Sequence, residues 1–176
     1  MDWALFLSQL PTNPSSLRVA VWRKMRAFGA LGLQNGVWVL PDKPEQMHFL
    51  QDLSEFVQNQ GASCQIFKVS PLDQRTEDSI VERFQADRSE EYDIFIERSN
   101  EFLAEIEKET NKQNFTFAEL EENEQDLQRL SSWLIKIQNR DFIGGEKAQL
   151  ASEIFEKCKT AFDVFSTTVY DVTSEE

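Results

Sequence analysis

Apolar and polar positions change their spacing repeatedly along the first seventy or so residues, and each change marks an element. Trp3-Ala4-Leu5-Phe6-Leu7 is a short, nearly continuous apolar run, and it closes on the breaker-rich Pro11-Thr12-Asn13-Pro14-Ser15, the pattern of a buried central strand. Ser15 or Ser16 then offers an N-cap, after which Leu17, Ala20, Val21, Met25 and Phe28 recur at the helical period as far as Gly29. Residues 30–34 and 37–40 are strand-like runs separated by Asn35-Gly36, a strong hairpin signal because the tight turn favours positive φ. Asp42-Lys43-Pro44-Glu45 predicts a helix entry in which the Asp42 carboxylate caps free N–H groups. That helix, running to about residue 60, is expected to bury Met47, Leu50, Val57 and either Leu53 or Ser54 before Gly61 stops it. The alternating stretch 62–69 predicts a last strand, ended by Pro71.

The resulting βαββαβ order fits the ferredoxin-like split βαβ motif, with two helices on one face of an antiparallel sheet and two layers in all. Past Pro71 the pattern is helical throughout. A helix is predicted around residues 79–84, followed by a stripe of Tyr92, Phe95, Ile96, Phe102, Leu103 and Ile106. Thr116 with Glu119 forms a capping box ahead of Leu120, Leu127, Leu130, Leu134 and Ile137; after the Gly144-Gly145 break, Ala151, Phe155, Cys158, Phe162, Phe165 and Val169 continue at spacings of four and three. Stripes joined by short breaks predict an antiparallel helical bundle. The fold class expected is therefore α+β, with a ferredoxin-like domain over residues 1–72 and an acidic helical bundle over 73–176.

Charge separates the same two regions. Residues 1–72 carry six Lys or Arg against five Asp or Glu, a balance of +1, and residues 73–176 carry twelve against twenty-six, a balance of −14, which together give the net −13. The acidic positions around Glu119, Glu121, Glu122, Glu124 and Asp126 read as a solvated helix face. No apolar run reaches the ~18 to 20 residues of a membrane span, and the chain starts Met-Asp-Trp-Ala-Leu-Phe without a basic leader. A cytoplasmic protein with no membrane partner is expected. Cys64 and Cys158 fit no metal or redox spacing and read as reduced, buried thiols.

Candidate chemistry gathers on the first helix. At 100° per residue Leu17, Val21 and Phe28 share one side, while Arg18, Trp22 and Arg26 form an i, i+4, i+8 ridge on the other, flanked by Val19 and Arg23. Such a ridge needs a partner. Arginines neutralise phosphates and an indole stacks on bases, but Trp and Arg are also the residues most enriched at protein-interface hot spots. With few cations on a chain of net charge −13, an intramolecular or dimer contact ranks ahead of DNA on the residues alone. Thr12, Asn13, Ser15 and Ser16, at a helix N-terminus, offer a weak anion site. Glu45 and His48 have Glu-x-x-His spacing, but this is the single histidine, and a solvent-facing side chain is expected. No nucleophile elbow, phosphate loop or Ser/His/Asp set occurs, so no catalytic residue, metal or cofactor is expected, and the chain is not read as an enzyme.

The stretch Trp3 to Leu10, the segment Pro11-Thr12-Asn13-Pro14-Ser15-Ser16-Leu17-Arg18-Val19-Ala20-Val21-Trp22-Arg23-Lys24-Met25-Arg26-Ala27-Phe28-Gly29-Ala30, and Asn35-Gly36-Val37-Trp38-Val39-Leu40-Pro41 together resemble the N-terminal domain of the ChrB chromate-resistance family. The resemblance is distinctive over about forty residues and looser to about residue 100; the ferredoxin-like domain of PaaX-type repressors and Cas2-like proteins are more distant likenesses. It implies a regulatory or accessory protein of chromate resistance that binds promoter DNA. Full-length members have a C-terminal domain whose basic and histidine residues are linked to the chromate response. The second half here is acidic and lacks histidine, so the chromate-sensing role is not carried over to it; a protein partner that supplies such a chromate-sensing domain is one expected contact, and a homodimer through the ridge or the bundle is another. The alternative is a protein-interaction or dimerisation module without DNA binding. A Cas2-like metal-dependent nuclease ranks last, because Ser8-Gln9-Leu10 stands where that chemistry needs an aspartate.

Overall fold

A computed structural model describes residues 1–174. The elements follow in the order β1 (Trp3–Gln9), α1 (Ser16–Phe28), β2 (Leu31–Gln34), β3 (Val37–Pro41), α2 (Pro44–Asn59), β4 (Ser63–Val69), α3 (Gln74–Asn111), α4 (Phe117–Arg140) and α5 (Glu146–Ser174). All strand pairs are antiparallel and the sheet order is β2-β3-β1-β4, as the ferredoxin-like motif requires. Two compact units result, one of residues 1–84 with 139–143 and the other of the remaining helical residues.

In the first unit the period-2 alternation of β1 sends Ala4 and Phe6 to one face and Trp3 and Leu5 to the other. Ala4, Phe6 and Leu40 pack with Val21 and Met25 of α1 and with Leu50, Leu53 and Val57 of α2, and the stacked rings of Phe28 and Phe49, with centroids 3.9 Å apart, join the two helices. The opposite face is covered as well. Trp3, Leu31 and Val39 pack there with Phe84, and Ile80, Val81, Phe142 and Ile143 close around them. Trp3 stacks on Phe84 at 5.6 Å, and the Phe142 ring lies 6.5 Å from Phe84 and 6.0 Å from Phe28. This corrects the two-layer expectation: a strand with apolar residues on both faces needs cover on both. The same packing carries the first compact unit beyond residue 72 to Phe84 and brings in residues 139–143.

Several local expectations are refined by what each side chain meets. α1 ends at Gly29 in the left-handed region, φ 98°, where an added Cβ would lie 2.7 Å from the Arg140 carbonyl oxygen. α2 begins with Lys43 at the N-cap and Pro44 in its first turn, without a side-chain cap; Asp42 instead pairs with Lys68 at 3.1 Å. Gln46 is buried in α2, while Met47 is only half-buried. His48 is exposed and lies 3.6 Å from Asp52.

The helices predicted near residues 79–84 and 92–106 are one continuous α3 of 38 residues. In the second unit its remainder packs with α4 and α5 around Tyr92, Phe95, Ile106, Leu134, Ile137, Cys158 and Phe165. Lys147 pairs with Asp93, Cys158 Sγ lies 3.5 Å from the Ser99 carbonyl, and Phe115 packs on Phe165, so α3 and α5 run in the same sense. Gln138 bonds Ser152 and Phe117 packs on Tyr170, which sets α4 antiparallel to α5. The capping box is present in part, with the Glu119 N–H donating to Thr116 Oγ1 at 3.3 Å. Both cysteines are free: Cys64 is half-buried, and burial pushes the Cys158 thiol up to about 11.

The α3–α4 corner is held by Glu109. Its carboxylate accepts hydrogen bonds from Asn114 Nδ2 at 2.7 Å and Lys112 Nζ at 3.0 Å, and the Asn114 bond chiefly holds its pKa below the ordinary 4.5. A depressed carboxylate stabilises the fold above its unfolded pKa and loses that contribution as pH falls through its folded value. The melting temperature of Glu109→Gln should therefore lie below that of the unsubstituted chain at neutral pH, with the gap closing below pH 4.5. A gap independent of pH in a thermal melt would show that the charge is not what holds the corner.

Candidate functional site

α1 carries four cations, Arg18, Arg23, Lys24 and Arg26, and no acidic residue. Their settings differ. The Lys24 ammonium sits over the Phe56 ring, 4.9 Å from its centroid, and Arg26 is half-buried with a partner of its own. Arg18 and Arg23 are exposed and have no carboxylate partner among the described residues. Between them Trp22 is 55% exposed, although Val21 beside it and Met25 one turn on are fully buried. The ridge inferred from spacing thus divides: Arg18, Trp22 and Arg23 face outward, and Arg26 does not share that exposure.

Arg18 and Trp22 also line a cleft of about 640 Å³ between the start of α1, the end of β1 and the β2–β3 hairpin. Gln9 and Leu10 come from the end of β1, Thr12 from the loop, and Gln34, Asn35 and Trp38 from the hairpin; Ser8, Gly32 and Gly36 complete it with Val21. Arg18 is the one charged residue in this lining. Of the weak anion set, only Thr12 reaches the cleft. Asn13, Ser15 and Ser16 are exposed and do not line it, and Ser15 makes no side-chain cap; its carbonyl accepts the Val19 N–H at 3.0 Å.

Gln9, Gln34, Gly32 and Trp38 were not singled out by sequence reasoning. An Asn-Gly turn counted strictly pairs Leu33 with Trp38, whereas a register shift between Gly32 and Gln34 sets Gly32 opposite Trp38. Bulges of this kind re-aim side chains and leave little trace in a short strand. The position a Cβ would take at Gly32 lies 3.5 to 3.7 Å from Cζ3, Cε3 and Cη2 of the Trp38 ring. The Gly32 carbonyl accepts a hydrogen bond from Arg83 Nη2 at 2.6 Å, which anchors the outer strand from α3.

A family model described as "Protein ChrB, N-terminal" matches residues 18–176. The chain belongs to the ChrB N-terminal family. That family is associated with chromate resistance, and its region covers the helical residues as well as most of the sheet unit, reaching well past residue 100, where the sequence resemblance fades. Protein ChrB of Cupriavidus metallidurans strain CH34 is 32% identical over 90 residues, which cover 51% of this chain and 27% of that protein. The aligned part thus spans little more than a quarter of the curated ChrB relative. Among the described residues, no helix of this ChrB-family chain is long and apolar enough to cross a membrane.

Proposed function

We propose that this chain is a non-enzymatic regulatory or accessory protein of chromate resistance, and that it acts by binding nucleic acid through Arg18, Trp22 and Arg23 of α1. The observation that carries the reading is that Arg18 and Arg23 are unpaired among the described residues, in a chain where 31 carboxylates outnumber 18 Lys and Arg. Elsewhere Lys68, Lys112, Arg129 and Lys159 have each taken a carboxylate; among the described residues Arg75 and Lys136 have not, but they do not flank an exposed indole as the α1 arginines do. Two guanidinium groups left over beside an exposed indole suit a partner that brings its own anions. The net charge of −13 opposes such binding only at short range, because physiological salt screens charges beyond about 8 Å. Promoter DNA is the proposed target, and a protein carrying a chromate-sensing domain is the proposed source of effector response.

The double variant Arg18→Ala/Arg23→Ala tests this on duplex DNA from upstream of the chain's own coding sequence. Loss of two phosphate contacts should lower the slope of log affinity against log salt by about 1.8 and weaken binding by at least about tenfold at low salt. Failure of the unsubstituted protein to shift the duplex at low salt would overturn the reading. A second reading, a protein-interaction or dimerisation module, is favoured by Trp22 with Val19, which is 40% exposed. It would be preferred if Trp22→Ala changed the oligomeric state while no nucleic acid was bound.

A further inference from the structure

We propose that the cleft between α1 and the β2–β3 hairpin is a nucleotide pocket, which takes one unpaired nucleobase with a single phosphate. This deepens the nucleic-acid reading and rests on it for the anionic partner of Arg18. At about 640 Å³ the cleft falls within the ~300 to 1,000 Å³ of small-molecule sites, far more room than a tetrahedral oxyanion fills. One guanidinium and no carboxylate in the lining suit one phosphate rather than a cluster of charge. Two indoles, Trp22 and Trp38, line the same space, and stacking on an indole favours a flat ligand.

Gly32 gives the pocket its shape. Because it has no Cβ, the six-membered ring of Trp38 is left uncovered at the place where a side chain would otherwise lie, 3.5 to 3.7 Å from three ring carbons. That separation is an ordinary van der Waals contact, the distance at which a base plane packs on a ring. The amides of Gln9, Gln34 and Asn35 complete the lining, and each offers a donor and an acceptor, as the edge of a base requires. An apolar ligand would have no use for them. The bond from Arg83 to the Gly32 carbonyl fixes the strand that carries the opening, so the pocket is preformed.

The test uses the full chain, with tryptophan fluorescence read during titration with AMP, GMP, CMP and UMP and, separately, with a short oligothymidylate. Either probe should quench. Quenching by mononucleotides identifies a free nucleotide as sufficient ligand, and quenching by the strand alone identifies an unpaired base within nucleic acid. Gly32→Val fills the opening at a position whose φ lies outside the left-handed region, so it should weaken both probes by about tenfold to a hundredfold while duplex binding changes by less than about twofold. Should Gly32→Val melt early, Gln34→Ala/Asn35→Ala serves instead and should erase preference among the four bases. No quenching by any probe at millimolar concentration, or an unaltered affinity in both variants, would overturn the pocket. A duplex shift that persists in that case would leave the α1 reading standing, and quenching without any duplex shift would sink that reading alone.

Discussion

A chain that stops after residue 72 is expected to lose cooperative unfolding and to aggregate, although it contains every strand of the sheet and both helices of the ferredoxin-like motif. Trp3 is 1% exposed, Leu31 4% and Val39 1%, and all three owe that burial to Phe84 and its neighbours Ile80, Val81, Phe142 and Ile143. Removing the cover exposes an apolar sheet face to water, at about 25 cal/mol for each Å² uncovered. Such a face is also a ready aggregation surface. The point substitution Phe84→Ala isolates the same contact within the full chain. The ring is 3% exposed and stacks on Trp3 at 5.6 Å, so its loss should cost about 3 to 5 kcal/mol. Urea unfolding followed by far-UV circular dichroism and total tryptophan emission measures it. A loss under about 1 kcal/mol would mean that the second face collapses around the vacancy or never depended on the ring.

Gly36→Ala should be nearly as damaging for a different reason. Gly36 has φ 75°, and a Cβ placed on it would lie 2.2 Å from the Ser8 carbonyl oxygen, in the neighbour strand whose Ser8 N–H donates to the Gly36 carbonyl at 2.8 Å. The backbone conformation alone costs on the order of 1 to 3 kcal/mol in a residue with a side chain. The collision adds to that, because backbone atoms on a central strand cannot swing aside as a flexible side chain would. Hydrogen exchange at Ser8 and Val37 should rise well above exchange at Phe6 and Leu40 as the hairpin end of the sheet opens. Protection equal to that of the parent chain would show that the turn can change its type and keep the pairing.

Much of the first unit was written in local pattern. The Asn35-Gly36 turn, the Gly29 and Gly61 helix ends and the alternation of β4 all follow from residues a few positions apart, and all are present. The Val21 and Met25 stripe on α1 likewise placed Trp22 opposite the core, and Trp22 is exposed. The continuous apolar run of β1 marks a buried central strand but does not by itself call for a third layer. What covers the second face could not be read from it, since Phe142 and Ile143 lie more than a hundred residues further on and carry no periodicity of their own. The cleft was hidden for a related reason. Its shape depends on a one-residue slip in β2, a strand of four residues, too short for alternation to fix its register. Arg26 shares its helix spacing with Arg18, yet it is half-buried and engaged, because side-chain reach and local partners, and not angular position, decide exposure near a helix end.

The return of residues 139–143 to the sheet unit has a consequence for synthesis. A ribosome delivers all four strands and Phe84 early, but Phe142 and Ile143, which complete the cover over that face, emerge only after α3 and α4 have been made. Until then the nascent sheet carries an open apolar flank, the kind of surface that chaperones bind and that favours misassembly when translation pauses.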